Sequence, residues 1–77
     1  MLENRIAGVG MRTYVRDLRK ERGLSQAELA NALGVTRQTI ISIENGRYTA
    51  SLVLAYRIAS YFGKTIEEVF DFSDVEV

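Results

Sequence analysis

Residues 24–46 read LSQAELANALGVTRQTIISIENG and contain two short amphipathic segments in close succession. Ser25, followed three residues later by Glu28, predicts a capping box that opens a helix ending at Gly34. Thr36 is the predicted N-cap of the next helix, so a single residue separates the end of one helix from the cap of the other. A connection this short makes two helices cross steeply, which is the geometry of a helix-turn-helix.

Glycines and capping residues predict three further helices in the 77-residue chain. In residues 11–22, one helical stripe carries Met11, Val15, Leu18 and Arg22. Residues 51–62 form a fourth helix, and Thr65 with Glu68 forms a capping box for a short fifth one. We therefore predict an all-α fold, a compact five-helix bundle whose second and third helices form the helix-turn-helix. The first, second, fourth and fifth helices are expected to contribute the following residues to the core: Val15, Leu18, Leu29, Ala30, Leu33, Leu54, Ala55, Ile58, Ala59, Phe62, Ile66, Val69 and Phe70.

The third helix has two chemically different faces. At about 100° per residue, Thr39, Ile40 and Ile43 form a β-branched stripe that is expected to be buried. The opposite face is polar except for one apolar side chain. It carries the four residues that we predict to read DNA bases, which are Arg37, Gln38, Ile41 and Ser42.

The chemistry of this face suits the edges of base pairs. Arg37 could pair bidentately with guanine and Gln38 with adenine, while Ser42 could reach a further base and Ile41 could pack on a thymine methyl group. The alternative is an ordinary solvated helix face. The exposure expected for Ile41 between polar neighbours argues against that alternative, because such a residue favours a covering partner.

Four residues at the ends of the helix-turn-helix are candidates for binding DNA phosphates. Gln26 lies at the first turn of the second helix, where helix N-terminal amides can meet a phosphate. Asn45, Arg47 and Tyr48 follow the third helix and could bind phosphates on the other side of the groove. For each of the four, a solvated turn residue is an equal alternative.

Charge is distributed unevenly along the chain. Ten basic and ten acidic residues give a net charge of zero. Residues 1–50 contain eight basic and five acidic residues (+3), whereas residues 51–77 contain two basic and five acidic ones (−3). This asymmetry favours one side that faces a polyanion, with ordinary solvated surface charge as the alternative.

The composition argues against several classes of protein. The chain has no cysteine and no histidine, which removes disulfides, thiolate ligands and the commonest general base and metal ligand. No two side chains are placed for one to activate the other, so we expect no enzyme, no metal, no cofactor and no small-molecule ligand. The sequence has neither a membrane-spanning run nor a secretory leader in residues 1–10, which predicts a soluble cytoplasmic protein.

The chain resembles the Cro/C1-type helix-turn-helix family, the phage-repressor-like or XRE regulators, from about residue 11 to residue 72. The matching pieces are Leu18-Arg19, Gly23-Leu24-Ser25-Gln26, Glu28-Leu29-Ala30, Leu33-Gly34-Val35-Thr36-Arg37, Ile40 and Ile43-Glu44-Asn45-Gly46. The resemblance implies a lambda-repressor-like domain, usually dimeric, whose third helix enters the major groove of double-stranded DNA.

The resemblance also implies roles for individual residues. It gives base reading to Arg37, Gln38 and Ser42, in agreement with the helical-face argument. It pairs Arg19 with Glu44, a structural ion pair that would set the angle of the third helix. It also implies phosphate contacts by Gln26, Asn45 and Arg47, which their positions had already suggested. Two further phosphate contacts, by Thr36 and Thr39, are implied by the resemblance only.

The chain departs from the family pattern at two places. Thr49-Ala50 stands where family members often carry Asn-Pro, which puts the position of Tyr48 in doubt. Residues 1–10 precede the methionine at which the family pattern would start. We therefore divide the chain into an N-terminal extension (1–10), the helix-turn-helix domain (11–72) and an acidic C-terminal tail (73–77).

Two apolar sets could form a symmetric dimer interface. The fourth helix carries Val53, Tyr56 and Tyr61 outside its core stripe. The C-terminal set is Phe70, Phe72, Val75 and Val77. The alternatives are a core position for Phe70 and a frayed terminus for the residues after Phe72.

The function predicted from these patterns is sequence-specific binding of double-stranded DNA by a transcriptional regulator. A homodimer would bind a palindromic operator, with the third helix of each chain in the major groove. The alternative is a protein-interaction module, either a toxin-neutralising partner or a coactivator-like bridge. Arg37 and Gln38 favour the regulator, because a module that binds only proteins does not need base-reading groups at this position.

Overall fold

A computed structural model describes residues 12–47 and 50–73 of the chain. Within these ranges the fold is all-α, as predicted, and a single isolated β-bridge is the only extended pairing. The five helices are α1 (Val15–Glu21), α2 (Gln26–Leu33), α3 (Arg37–Glu44), α4 (Leu52–Tyr61) and α5 (Ile66–Val69).

The helix-turn-helix boundaries follow from local capping. The Ser25 hydroxyl accepts a hydrogen bond from the Glu28 backbone N–H at 3.0 Å, and the Glu28 carboxylate accepts one from the Ser25 N–H at 2.8 Å. Gly34 ends α2 with a φ of 72°, a left-handed conformation that glycine adopts without a Cβ penalty. Thr36 then caps α3 through the Thr39 N–H, so the short connection and its two caps set how α3 crosses α2.

The core lies where the five helices meet. It buries the apolar faces of both helices of the helix-turn-helix, and α2 packs closely against α3. Burial of this apolar surface is the main force that holds so short a chain together. The buried residues are Val15, Leu18, Leu29, Ala30, Leu33, Ile40, Ile43, Leu54, Ala55, Ile58, Ala59, Phe62, Val69 and Phe70.

The first helix is shorter than predicted. It begins at Val15, whereas the helical stripe predicted a helix from about residue 11, which itself lies outside the described residues. Thr13 instead forms an antiparallel bridge with Phe70, flanked by hydrogen bonds from the Tyr14 N–H to the Val69 carbonyl (2.8 Å) and from the Asp71 N–H to the Arg12 carbonyl (2.9 Å). These distant partners override the local helical pattern.

Some side chains differ in burial from their predicted positions. Thr39 is half-buried rather than buried, and Ile66 is half-buried while packing against the core. Tyr61, offered as an interface residue, is half-buried against the same core. Phe70 is buried, which agrees with a core position and not with an exposed interface position, whereas Phe72 is exposed.

Three predicted features lie outside the described residues. They are the extension (1–10), Tyr48, and the tail apart from its first residue (74–77). In the described part of the chain, no helix has the length and apolarity needed to cross a bilayer.

Candidate nucleic-acid interface

The first turn of α3 presents two polar side chains to solvent. Arg37 and Gln38 are both exposed, on a helix whose opposite side buries Ile40 and Ile43 completely. The buried isoleucines hold the helix against the core, so the two polar groups have a rigid base from which to contact DNA.

The remaining base-reading candidates are less exposed. Ile41 and Ser42 are both half-buried. The expectation of an exposed Ile41 is therefore wrong, and a half-buried isoleucine needs a covering partner less than an exposed one does. Arg37 and Gln38 carry the polar chemistry of this face.

Thr36 and Thr39 form one hydrogen-bonded unit at the start of α3. Their hydroxyl oxygens are 2.9 Å apart, and the Thr36 hydroxyl also accepts from the Thr39 backbone N–H at 3.1 Å. Since one hydroxyl donates to the other, the pair keeps one O–H free to donate elsewhere. The unit caps the helix and retains one donor suited to a phosphate oxygen.

A buried carboxylate, Glu44, organises the other end of the site. Its side chain has no solvent exposure, although it is the last residue of α3. The guanidinium of Arg19 in α1 donates to both carboxylate oxygens, from Nε at 2.6 Å and from Nη2 at 3.1 Å. Arg19 Nη1 donates to the Leu24 carbonyl at 2.8 Å, so all three nitrogens of this guanidinium have partners.

The protonation of Glu44 reflects these contacts. Burial acts to raise the pKa of its carboxyl, but hydrogen bonds from Arg19 and Gln26 outweigh burial and bring the pKa below its ordinary value. The same pairing raises the pKa of Arg19. Both groups are therefore charged near neutral pH, and together they join α1 to the end of α3.

Glu44 also holds Gln26, a phosphate-binding candidate from α2. The Gln26 side-chain amide donates to Glu44 Oε1 at 3.2 Å. An NH₂ group has two donors, so the second one is left for another acceptor. The contact fixes the nitrogen end of the Gln26 amide, and this NH₂ group is the end that can donate to a phosphate.

Two of the residues that follow α3 are solvent-exposed. Asn45 and Arg47 are both exposed, and the Asn45 amide oxygen accepts a hydrogen bond from Arg16 Nη2 at 3.1 Å. Sequence reasoning missed Arg16, which also lies 3.5 Å from Glu44 through its Nε. Its spacing of three residues from Arg19 on one helix was the available signal, because both side chains then lie on neighbouring parts of the same face.

Among the described residues, the site offers no metal-binding cluster. What it does offer is hydrogen-bond donors at three places, which are Arg37 and Gln38 at the start of α3, Gln26 at the start of α2, and Asn45 just after the end of α3. Guanidinium and amide groups of this kind bind phosphates and base edges.

Comparisons with known proteins agree with this chemistry. A helix-turn-helix family model matches residues 15–69. The chain is 59% identical over 61 residues to an uncharacterized HTH-type transcriptional regulator of Methanothermobacter thermautotrophicus, covering 78% of this chain and 88% of the relative. It is 35% identical over 63 residues to the cryptic phage CTXphi transcriptional repressor RstR of Vibrio cholerae, covering 82% of this chain and 57% of the repressor.

A solved structure shows the same fold. The restriction-modification controller protein C.AhdI from Aeromonas hydrophila superposes with a TM-score of 0.63 at 33% identity, covering 70% of this chain and 82% of the controller. The two relatives found by sequence are named as a transcriptional regulator and a transcriptional repressor, which agrees with the expectation of a non-enzyme. The chain therefore belongs to the Cro/C1-type helix-turn-helix family of DNA-binding transcriptional regulators.

Proposed function

We propose that the chain is a sequence-specific regulator that binds a palindromic operator as a homodimer, with α3 of each copy in the major groove. The observation that carries this proposal is the exposure of Arg37 and Gln38 in the first turn of α3, above a fully buried isoleucine stripe. In helix-turn-helix complexes, the N-terminal residues of the second helix of the motif contact base edges.

Specific roles follow from the donor patterns. Arg37 would bind guanine N7 and O6, and Gln38 would bind adenine N6 and N7. Ser42 would reach a further base and Ile41 would pack on a thymine methyl group, each with the part of its side chain that remains exposed. The phosphate contacts would come from both ends of the motif, through Gln26, Thr36, Thr39, Asn45, Arg47 and Tyr48.

A dimer is supported by the affinity that one copy can reach. A single domain with few phosphate contacts binds DNA non-specifically with a dissociation constant of about 10⁻⁴–10⁻⁶ M at physiological salt. Two copies on half-sites about 34 Å apart would combine their contacts. An apolar surface suited to self-association exists on α4, where Val53 is 69% and Tyr56 is 64% exposed.

The test is selection of bound duplexes from a random DNA pool by the full chain. The same selection is run with an Arg37→Ala/Gln38→Ala variant and with a Lys64→Ala control, which removes a cation from the connection between α4 and α5. We expect a palindromic site that is enriched by the native protein and by the control but not by the double variant.

Other outcomes would contradict the proposal in identifiable ways. Enrichment of a single non-repeated half-site would argue against the dimer. Enrichment of the same palindrome by the double variant would argue against base reading through α3. No enrichment, with helicity intact by circular dichroism, would shift the weight to the protein-interaction alternative.

A further inference from the structure

Two arginines of α1 approach one carboxylate at the end of α3. Arg19 satisfies both oxygens of Glu44 with a bidentate pair, and it is itself almost completely buried. One guanidinium is enough to neutralise one buried carboxylate. The second arginine, Arg16, is therefore not required for charge balance inside the protein.

Arg16 differs from Arg19 in exposure and in hydrogen bonding. Its side chain is 49% exposed, against 10% for that of Arg19. It contacts Glu44 through Nε at 3.5 Å and donates from Nη2 to Asn45 at 3.1 Å. Among the described residues Nη1 has no hydrogen-bond partner, so Arg16 retains donors, and the two arginines with Glu44 together carry one net positive charge.

The contact with Asn45 orients that side chain as well. Because the Asn45 amide oxygen accepts from Arg16, the NH₂ end of the amide is left to donate. The two residues thus present donors side by side. A phosphate oxygen is an acceptor suited to both groups, because guanidinium and amide N–H groups bind backbone phosphates.

The place of this pair along α3 suits the DNA backbone. At about 100° per residue, Asn45 lies about 80° around the helix axis from Arg37, within the face that carries Arg37 and Gln38. The eight residues of α3 span about 12 Å, so with its first turn at the bases its other end lies farther out, toward the groove wall. Phosphates line that wall.

We infer that Arg16 binds a DNA backbone phosphate together with Asn45, a contact that extends the DNA interface onto α1. The inference rests on the proposed insertion of α3 into the major groove. Glu44 and Asn45 hold the Arg16 guanidinium in position before DNA arrives, so little side-chain freedom is lost on binding.

The test measures how the affinity for a random-sequence duplex falls as salt is raised. Each phosphate that a cation neutralises contributes about 0.9 to the slope of log K against log salt. We expect Arg16→Gln to reduce that slope by about 0.9 for each chain bound. Arg16→Lys should retain the slope, and the matched charge-removal control Lys64→Gln should leave it unchanged.

A second measurement uses the native chain and does not depend on how the variants fold. The side-chain Nε–H signal of Arg16 is followed by NMR as the duplex is added. A phosphate contact should shift this signal in proportion to saturation, whereas a purely structural role should leave it in place.

Two results would overturn the inference. One is a salt slope for Arg16→Gln that equals the native slope. If Arg16→Gln nevertheless weakens binding, and if it causes no further weakening when Asn45 is already replaced by alanine, then Arg16 only positions Asn45. The other is an Arg16 signal that does not move at saturation. Failure of the native chain to bind any duplex would instead refute the proposed function, so the two failures are distinguishable.

Discussion

At the residue scale, the side chain of Glu44 has no solvent exposure and contacts three other side chains, those of Arg19, Gln26 and Arg16. Removing Arg19 would leave this carboxylate without its bidentate partner. We expect Arg19→Ala to lower the free energy of unfolding by about 3–5 kcal/mol, measured by urea denaturation. Arg16→Ala, the matched control on the same helix, should cost no more than about 1 kcal/mol because its ion pair is half-exposed.

Comparable losses for the two arginine variants would contradict this division of roles. It would mean that Arg16 supports the buried carboxylate as much as Arg19 does. A milder loss for Arg19→Met than for Arg19→Ala would be compatible, because a longer apolar side chain refills part of the space.

The depressed pKa of Glu44 predicts how stability depends on pH. The unfolded chain has the ordinary glutamate pKa of about 4.3, and the folded value is lower, so the unfolded state binds more protons in the range between them. The stabilisation is thus fully present above the unfolded pKa and is lost as the pH falls through the folded one. Urea unfolding at a series of pH values should show a weaker loss below about pH 4.3 for Glu44→Gln than for the native chain.

The exposed Glu67→Gln serves as the control for this pH series. Glu67 makes no side-chain hydrogen bond among the described residues, so its replacement removes one carboxylate without breaking a contact of this kind. An acid limb for Glu44→Gln as steep as the native one would show that other carboxylates dominate acid unfolding.

At the scale of the elements, Gly34 shapes the turn between α2 and α3. Its φ is +72°, and a Cβ added there would meet only Arg57 Nη2, at an ordinary contact distance of 3.9 Å. The cost of Gly34→Ala should therefore be backbone strain of about 1–2 kcal/mol. Gly34→Asn should cost less, because asparagine tolerates the left-handed region better.

Thermal unfolding of Gly34→Ala beside Gly63→Ala checks this reasoning. Gly63 has a similar φ of +68° and no neighbour within 4 Å of an added Cβ, so the two alanine variants should lose similar stability. Native-like stability of Gly34→Ala would mean that the turn relaxes, and α3 would then be expected to change its angle to α2.

An element could be predicted from the sequence where the contacts that determine its bounds lie close together along the chain. The Ser25–Glu28 capping box and the Thr36 cap lie within three residues of their partners, so the bounds of α2 and α3 followed directly. The start of α1 could not be predicted, because residues 12–14 bond to the backbone of residues 69–71.

The same distinction holds for the candidate site. The exposure of Arg37 and Gln38 followed from the periodicity of a single helix. The position of Arg16 depends on residues 28 and 29 places further along the chain, which carry the carboxylate and the amide that it contacts. Helical periodicity within α1 places Arg16 on the face of Arg19, but it does not show that the carboxylate and amide at the end of α3 lie against that face.

At the scale of the whole molecule, charge and apolar exposure separate along the sequence. Residues 1–50 carry a net charge of +3 and residues 51–77 carry −3. The exposed apolar side chains of α4, Leu52, Val53 and Tyr56, belong to the acidic part. Tyr56 also lines a surface cavity of about 620 Å³ together with Phe72. In the proposed complex the basic part approaches DNA, which leaves this apolar surface of α4 available to a second copy.

The proposed dimer predicts a specific effect of a charge on α4. Val53 is 69% exposed in one chain, so Val53→Glu should leave folding intact, whereas in a twofold interface it would bring two carboxylates close together. By sedimentation, the native chain should approach twice its mass of 8.7 kDa at concentrations where the variant remains at the single-chain mass. Ala32→Glu, on an exposed position of α2, adds the same charge and should still associate. A native chain that stays monomeric while it saturates a palindromic duplex would place the dimer contacts on the DNA-bound state alone, and self-association through α4 would then be wrong.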